Sequence, residues 1–443
     1  MNSTATESTW DRDRRSIWHP YTRHSALAGE PFPVIARGEG IYLYDEQGNR
    51  YLDAVSSWWA CNLGHSHPRL VEAISRQSRE LQHSILGNLS HAPAAELAGE
   101  LVELFPDRHR RILFASDGAS AIEAALRIAV QYWHNVGKPE RCRFAAFENA
   151  YHGDTFGAMA LGYLPEFHAP YRQVLFPVHQ VAVPECSTCS QNESAEACDL
   201  RCLALLEGLF EEHGKTLAAM VVEPLCQGAG GMRIYPAAYL RRLGDLCRKH
   251  DILLIVDEIA MGYGRTGRMF AFEHAGLDPD IVCLGKSLSG GYLPMSAAVV
   301  KEEIFATFGD EVEDHTFYHG HTFAGNPIAA AAAIECLHIY REEGIVERAQ
   351  RLGRILGEQM ESFRDQQGVT NIRSLGMIGV FELEDTGTES GSERAKRLRR
   401  RLMDEGILIR PLGNIIYLMP PLIIDERVLL DVVEALRRGV AEV

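Results

Sequence analysis

The sequence has no uncharged apolar run of the ~20 residues that a membrane-crossing helix requires. Stretches such as Ile252 to Val256 and Ile328 to Ile334 end far sooner, so a membrane-spanning protein is excluded. Basic charge is also scarce. The chain carries 44 Lys and Arg against 60 Asp and Glu, a formal net charge of −16, and such a field repels phosphate backbones. Nucleic acid is therefore not an expected partner. Met1 to Arg15 has no apolar segment of the signal-peptide kind, which predicts a cytoplasmic or equivalent compartment. No fixed-period repeat is present, which removes solenoids and propellers. Ten cysteines over 443 residues, without a secretory segment, predict reduced thiols in place of a disulfide framework.

What is present is the composition of a globular chain, with 46% hydrophobic and 23% charged residues, long enough for two or three domains at ~150 residues each. Strand-like runs occur at Arg111 to Ala115, Arg143 to Phe147, Leu217 to Val222, Ile252 to Val256, Ile281 to Leu284 and Ala297 to Val300. Helical spacing covers Leu70 to Leu81, Ala94 to Leu104, Ser120 to Trp133, Asp199 to His213 and Ala237 to His250. Strands alternating with helices predict an α/β fold, a mainly parallel sheet flanked by helices, whose ligands bind beyond the carboxyl ends of the strands. After an Ala-rich helix starting near Asn326, the pattern changes to a smaller α+β unit. It comprises helix Ile345 to Gln366, strand Gly376 to Glu382, helix Glu393 to Glu405 and strand Ile415 to Met419. The expected division is an N-terminal segment 1–60, a large domain 61–340 and a C-terminal α+β domain 341–443.

The strand Ile252 to Val256 runs into Asp257, which places a carboxylate where such sheets present ligand groups. Lys286 follows another apolar strand and stands among small residues, Gly285, Ser287, Ser289 and Gly290. An amine so placed can hold an aldehyde, and pyridoxal phosphate also needs an acid to keep its ring nitrogen protonated. Asp257 and Lys286 would supply the two halves, although alone the one reads equally as a helix cap and the other as a solvated side chain. Phosphate would sit on Gly118, Ala119 and Ser120, where small residues open a helix after a strand. Tyr151, just beyond strand Arg143 to Phe147, could stack on a flat ring or be an ordinary core aromatic. Gly262-Tyr263-Gly264-Arg265-Thr266-Gly267 matches the dinucleotide GxGxxG, but no amphipathic helix follows it, so the loop is read as structural.

With Asp257-Glu258-Ile259-Ala260-Met261-Gly262-Tyr263-Gly264-Arg265-Thr266-Gly267, the pair Glu223-Pro224 and Lys286 in order, the chain resembles the class III pyridoxal-phosphate aminotransferases of fold type I over nearly its whole length. Further segments resemble the branch that aminates 8-amino-7-oxononanoate in biotin biosynthesis. They are Trp18-His19-Pro20-Tyr21-Thr22, Ser56-Ser57-Trp58-Trp59, Tyr151-His152-Gly153-Asp154-Thr155, His319-Gly320-His321-Thr322, Ile409-Arg410-Pro411 and Tyr417-Leu418-Met419-Pro420-Pro421.

The resemblance implies that Lys286 holds the cofactor aldehyde, Asp257 pairs with the ring nitrogen, and Tyr151 and Ile259 enclose the ring. Gly118 and Ala119 would bind phosphate, with Thr322 of a second subunit, so a homodimer with shared active sites is expected. Tyr21 joins Lys286 and Asp257 among the catalytic residues. Tyr21, Trp58, Trp59, Tyr151, Gly320 and Tyr417 would line the substrate pocket, and Arg410 would take the substrate carboxylate. Departures from the pattern are Met261 where the class usually has Thr, Ala119 where close relatives often have Ser, and Leu412 where adenosylmethionine-using relatives have an aromatic after the Arg-Pro pair. The donor is expected to be S-adenosylmethionine, with lysine, or a different ω-amino acid transamination, as alternatives.

Cys186, Cys189, Cys198 and Cys202 form CxxC, a spacer of eight residues and CxxxC. This spacing suggests a structural zinc or iron-sulfur site, against free thiols on an insertion.

Overall fold

In the strand Leu253–Asp257 every residue is buried, because both faces of the sheet are covered. Leu253 and Ile255 pack in one cluster with Ile122, Ala125 and Ala129 of the helix Gly118–Asn135. Leu254 and Val256 pack in the other, with Leu240 and Leu243 of the helix Ala237–Lys249. Continuous apolar strands are the sequence signature of this arrangement. The computed structural model describes residues 7–27, 32–184, 202–311 and 313–443.

The central sheet has seven strands in the spatial order Arg110–Ala115, Ser296–Lys301, Ile281–Leu284, Leu253–Asp257, Leu217–Val222, Arg143–Phe147 and His179–Val181. All neighbours pair in parallel except Ser296–Lys301, which is antiparallel to both of its neighbours. The other strands therefore share one direction, and their carboxyl ends deliver Asp117, Glu223, Asp257 and Lys286 to the same edge. The expected strands and helices are present with ends shifted by a few residues. The largest differences in the described residues are Gly118–Asn135, longer than Ser120 to Trp133, and Ile345–Glu361, shorter than Ile345 to Gln366.

Elements absent from the sequence reading include the strands Ile35–Glu39, Tyr42–Asp45, Arg50–Asp53 and His179–Val181, the strand Val369–Leu375, and the helices Thr9–Ser16 and Glu426–Ala441. Arg50–Asp53 pairs in parallel with Ile407–Leu408, which joins the two ends of the chain in one small sheet. A second small sheet, Val369–Leu375, Ile378–Leu383 and Ile415–Leu418, is antiparallel throughout. The 262–267 loop runs as turns and leads to a short 3-10 segment, Ala271–Ala275, not to an amphipathic helix. It is structural, as expected: the Arg265 guanidinium, fully buried, donates to the carbonyls of Met377 and Pro420 and to Asn62 Oδ1.

Candidate active site

Asp257 ends its strand almost wholly buried, at 4% exposure, yet keeps its charge partnered. Its Oδ2 lies 2.7 Å from His152 Nδ1, and its Oδ1 accepts the Ile259 N–H at 3.1 Å. Burial alone would lower the His152 pKa, but the Asp257 carboxylate outweighs it and raises the value. Next to this pair sits Glu223, whose Oε1 and Oε2 accept the backbone N–H groups of Tyr151 and Gly228 at 2.9 and 2.8 Å. Burial, helped by the nearby Asp257 charge, pushes Glu223 up to about 7.

Lys286 follows strand Ile281–Leu284 with a left-handed backbone, φ 44°. Its Nζ has no ion-pair partner among the described residues and lies 5.1 Å from the centre of the Trp59 ring. Burial lowers its pKa, while the charges of Asp257 and Glu223 act in the opposite sense. A desolvated amine with a depressed pKa is the form that condenses with a carbonyl.

The remaining wall is assembled from parts far apart in the chain. Gly118 is pressed against Ile259, so that a Cβ there would come 2.9 Å from Ile259 Cδ1, and Gly153 is pressed against Ala119. Ile259 also lies against Gly285, next to Lys286. The helix Gly118–Asn135 is capped by Asp117, which accepts the Ser120 N–H at 2.9 Å. The N–H groups of Gly118 and Ala119, the first of that helix, have no intrahelical acceptor. Tyr151 OH donates to Asp154 Oδ2 at 3.0 Å, and Tyr21 OH donates to the other oxygen of Asp154. Burial and that carboxylate push Tyr21 up to about 12.

Trp58 and Trp59 reach the site on an unusual turn. Ser56, Ser57, Trp58 and Trp59 all have positive φ, from 45° to 68°, a conformation that costs a non-glycine residue roughly 1–2 kcal/mol. The turn sets Trp58 beneath the Arg410 guanidinium, 4.3 Å from its ring centre, and Trp59 beneath Lys286. Trp59 meets Tyr417 edge to face at 6.2 Å, and Trp58 meets Tyr21 in the same manner at 6.2 Å. Arg410 has no ion-pair partner among the described residues.

The turn is tied down by Asp53, whose Oδ2 accepts from Ser57 Oγ at 2.7 Å and pairs with His65 Nε2 at 3.0 Å. Burial would lower His65, but Asp53 and the neighbouring Cys61 outweigh it and raise the group from 6.5 to about 9. Because the folded value lies above the ordinary one, this stabilisation is complete below pH 6.5 and disappears as pH rises through about 9. It should be of order 2–3 kcal/mol. The melting temperature is expected to fall across that interval and to fall less in His65→Gln; parallel curves would contradict the assignment.

Of the residues expected from the sequence, Lys286, Asp257, Tyr151, Ile259, Gly118, Ala119, Tyr21, Trp58, Trp59, Arg410 and Tyr417 converge in one web of contacts. Gly320 and Thr322 do not join it: both are exposed, while the neighbouring His321 Nδ1 lies 3.3 Å from Ser116 Oγ and His319 Nδ1 lies 2.7 Å from Arg127 Nη1. Cys186, Cys189 and Cys198 lie outside the described residues, and Cys202 precedes the helix Leu203–His213. The zinc or iron-sulfur expectation gains no support, since among the described residues no group of three or more His, Cys, Asp or Glu could hold a metal. The sequence reading gave no role to His152, Asp154 or Glu223, although His152 and Asp154 flank Gly153 directly after Tyr151.

A carboxylate backed by an imidazole, a desolvated lysine one strand away and open helix N–H groups packed against Ile259 match the three handles of pyridoxal phosphate: ring nitrogen, aldehyde and phosphate. The residues fit that cofactor, and the sheet order with this site defines a transferase of fold type I. The family model "Aminotransferase class-III" matches residues 25–440, and the chain belongs to that family. It is 37% identical over 442 residues to an adenosylmethionine-8-amino-7-oxononanoate aminotransferase of Geobacter sulfurreducens, covering 98% of both chains. It is 40% identical to the protein of the same name in Nitratidesulfovibrio vulgaris, covering 97% of this chain and 81% of that one. Among solved structures, the Methanocaldococcus jannaschii protein of that name superposes with a TM-score of 0.91 at 34% identity, covering 98% of each chain. An omega transaminase from Pseudomonas jessenii, in complex with PMP, gives a TM-score of 0.91 at 32% identity and the same coverage.

Proposed function

We propose that this aminotransferase converts 8-amino-7-oxononanoate to 7,8-diaminononanoate, a step of biotin biosynthesis, with S-adenosylmethionine as amino donor. The observation that carries the reading is the Arg410 guanidinium, without an ion-pair partner among the described residues and seated on Trp58, while Lys286 lies over the adjacent Trp59. A guanidinium fork grips a carboxylate through two parallel hydrogen bonds, and the Trp58 and Trp59 rings offer an apolar wall for the carbon chain between carboxylate and ketone. The names of the full-length relatives point to the same acceptor and donor.

Pyridoxal phosphate, when bound, supplies an aldehyde that takes up and returns the amino group and a ring that accepts electrons. Asp257 would hold a proton at the ring nitrogen, and His152, by donating to Asp257, keeps that carboxylate aimed. Tyr151 and Ile259 would enclose the ring, and Gly118 and Ala119 would offer backbone N–H groups to the phosphate. Lys286 would hold the aldehyde, and its lowered pKa would let its free amine serve as the base that moves a proton at the substrate carbon. Glu223 fixes the backbone of Tyr151 and Gly228. Tyr21 and Asp154 hold Tyr151 from outside, and Tyr417 supports Trp59.

The exposed loop carrying Gly320 and Thr322 serves a second subunit in this reading, Thr322 reaching that subunit's phosphate, so the active unit is a homodimer. Residues 61–340 form the cofactor domain, and 1–60 joins the small domain 341–443; the pairing of Arg50–Asp53 with Ile407–Leu408 supports that grouping.

A donor screen tests the proposal. The holoenzyme with 8-amino-7-oxononanoate is expected to form 7,8-diaminononanoate with S-adenosylmethionine. Product with lysine and none with S-adenosylmethionine would reverse the donor assignment. No product with any donor would remove the acceptor.

A further inference from the structure

The left-handed turn raises a question of selection. Its backbone bonds, Trp59 N–H to Val55 O at 3.0 Å and Ala60 N–H to Ser56 O at 2.9 Å, have the spacing that a right-handed turn would also make. The backbone bonds within the turn therefore do not by themselves choose the strained hand, and its side-chain anchors bear on the choice. Two of them are anchored. Ser56, fully buried, donates to the Met419 carbonyl at 2.7 Å and receives Arg265 Nη2 at 3.3 Å. Ser57 donates to Asp53 Oδ2, the oxygen that also pairs with His65, while Asp53 Oδ1 accepts the Val55 N–H at 3.2 Å. Asp53 is 1% exposed, so this carboxylate is held by its partners and not by water.

The two tryptophans differ in what else holds them. Trp59 is packed in the core at 6% exposure, against Gly228 and Tyr417. Trp58 is 39% exposed, with the Arg410 guanidinium over its ring and Tyr21 at its edge. Its place is set by its own backbone, and the side-chain anchor immediately before it is the Ser57 hydroxyl.

The geometry points to Ser57 as a positioning residue that fixes Trp58 against Arg410, acting through Asp53 and His65. It thereby sets how tightly the pocket holds the carboxylate end of its substrate. This deepens the reading above and rests on Arg410 being the carboxylate group of the pocket. The Lys286 end, held by Trp59 and the core, does not depend on the Ser57 hydroxyl.

The test uses the holoenzyme and nonanoate, a nine-carbon carboxylate with no amine or ketone, as a competitive inhibitor against the acceptor. Glycine adopts a left-handed backbone without penalty, so Ser57→Gly removes the hydroxyl without adding strain and is expected to melt no lower than wild type. Its inhibition constant for nonanoate should rise about tenfold, the loss of one good hydrogen bond, while the visible absorption of the bound cofactor stays unchanged. Ser57→Asn, which tolerates the left-handed region and keeps a donor for Asp53, should recover most of the affinity. Should Ser57→Gly not fold, Ser57→Ala takes its place in the comparison. Arg410→Ala separates the two levels. If Arg410→Ala loses nonanoate and Ser57→Gly binds it like wild type, the Ser57 role is overturned and the function stands. If Arg410→Ala also binds like wild type, the carboxylate assignment fails and the Ser57 role falls with it. An affinity loss that Ser57→Asn does not recover also overturns it.

Discussion

Replacing Lys286 by Ala is expected to lower turnover at least about 10^4-fold, since rate enhancements by enzymes start near ~10^6 and this side chain serves two tasks. In the proposed mechanism it binds the cofactor aldehyde at rest and serves as the base at the substrate carbon. Nothing nearby can replace it. Asp257 and Glu223 are charge neighbours of Lys286, but the first is held by His152 and the Ile259 N–H and the second by two backbone N–H groups. Lys286→Arg keeps a cation but not a free amine, and should be as inactive as Lys286→Ala. A small amine such as methylamine, added to the Lys286→Ala protein, should restore part of the proton transfer. Steady-state activity within tenfold of wild type in Lys286→Ala would contradict the assignment.

The second large effect is expected at Arg410. Truncating one member of a buried, hydrogen-bonded charge pair costs about 2–5 kcal/mol, a factor of roughly 30 to several thousand. Arg410 is partly buried, so the lower half of that range applies. Arg410→Ala should raise KM for 8-amino-7-oxononanoate about 30- to 300-fold. Arg410→Lys should recover little of it, because an ammonium reproduces neither the fork nor the flat stacking on Trp58. Initial rates against acceptor concentration read this directly. An unchanged KM in Arg410→Ala would show that the carboxylate is held elsewhere.

Much of the fold is legible in the sequence, for a reason that also explains what is not. Strands covered on both faces read as unbroken apolar runs, and Arg143–Phe147, Leu217–Val222 and Ile281–Leu284 were recognisable to the residue. Ile35–Glu39 is exposed or half-exposed at every position, so it shows no buried-strand pattern. Arg50–Asp53 pairs with the adjacent Tyr42–Asp45 on one side and with the distant Ile407–Leu408 on the other. The site divides in the same way. Asp257 and Lys286 are conspicuous because each ends or follows an apolar strand. His152 lies 105 positions from Asp257, and Asp154 lies 133 from Tyr21, so neither partnership leaves a trace in local spacing. The left-handed turn at Ser56 to Trp59 was equally invisible, since Ser-Ser-Trp-Trp contains no glycine or asparagine to announce a positive φ.

The claim on which the rest depends is that Lys286 and Asp257 face the two ends of one cofactor ring. Sodium borohydride reduction of the holoenzyme, followed by proteolysis and mass spectrometry, reads the first of these ends. The expected result is a pyridoxyl group on the peptide containing Lys286 and on no other, with Asp257→Asn giving the same peptide but no turnover. A pyridoxyl group on a different lysine, or none on any peptide, would contradict the account.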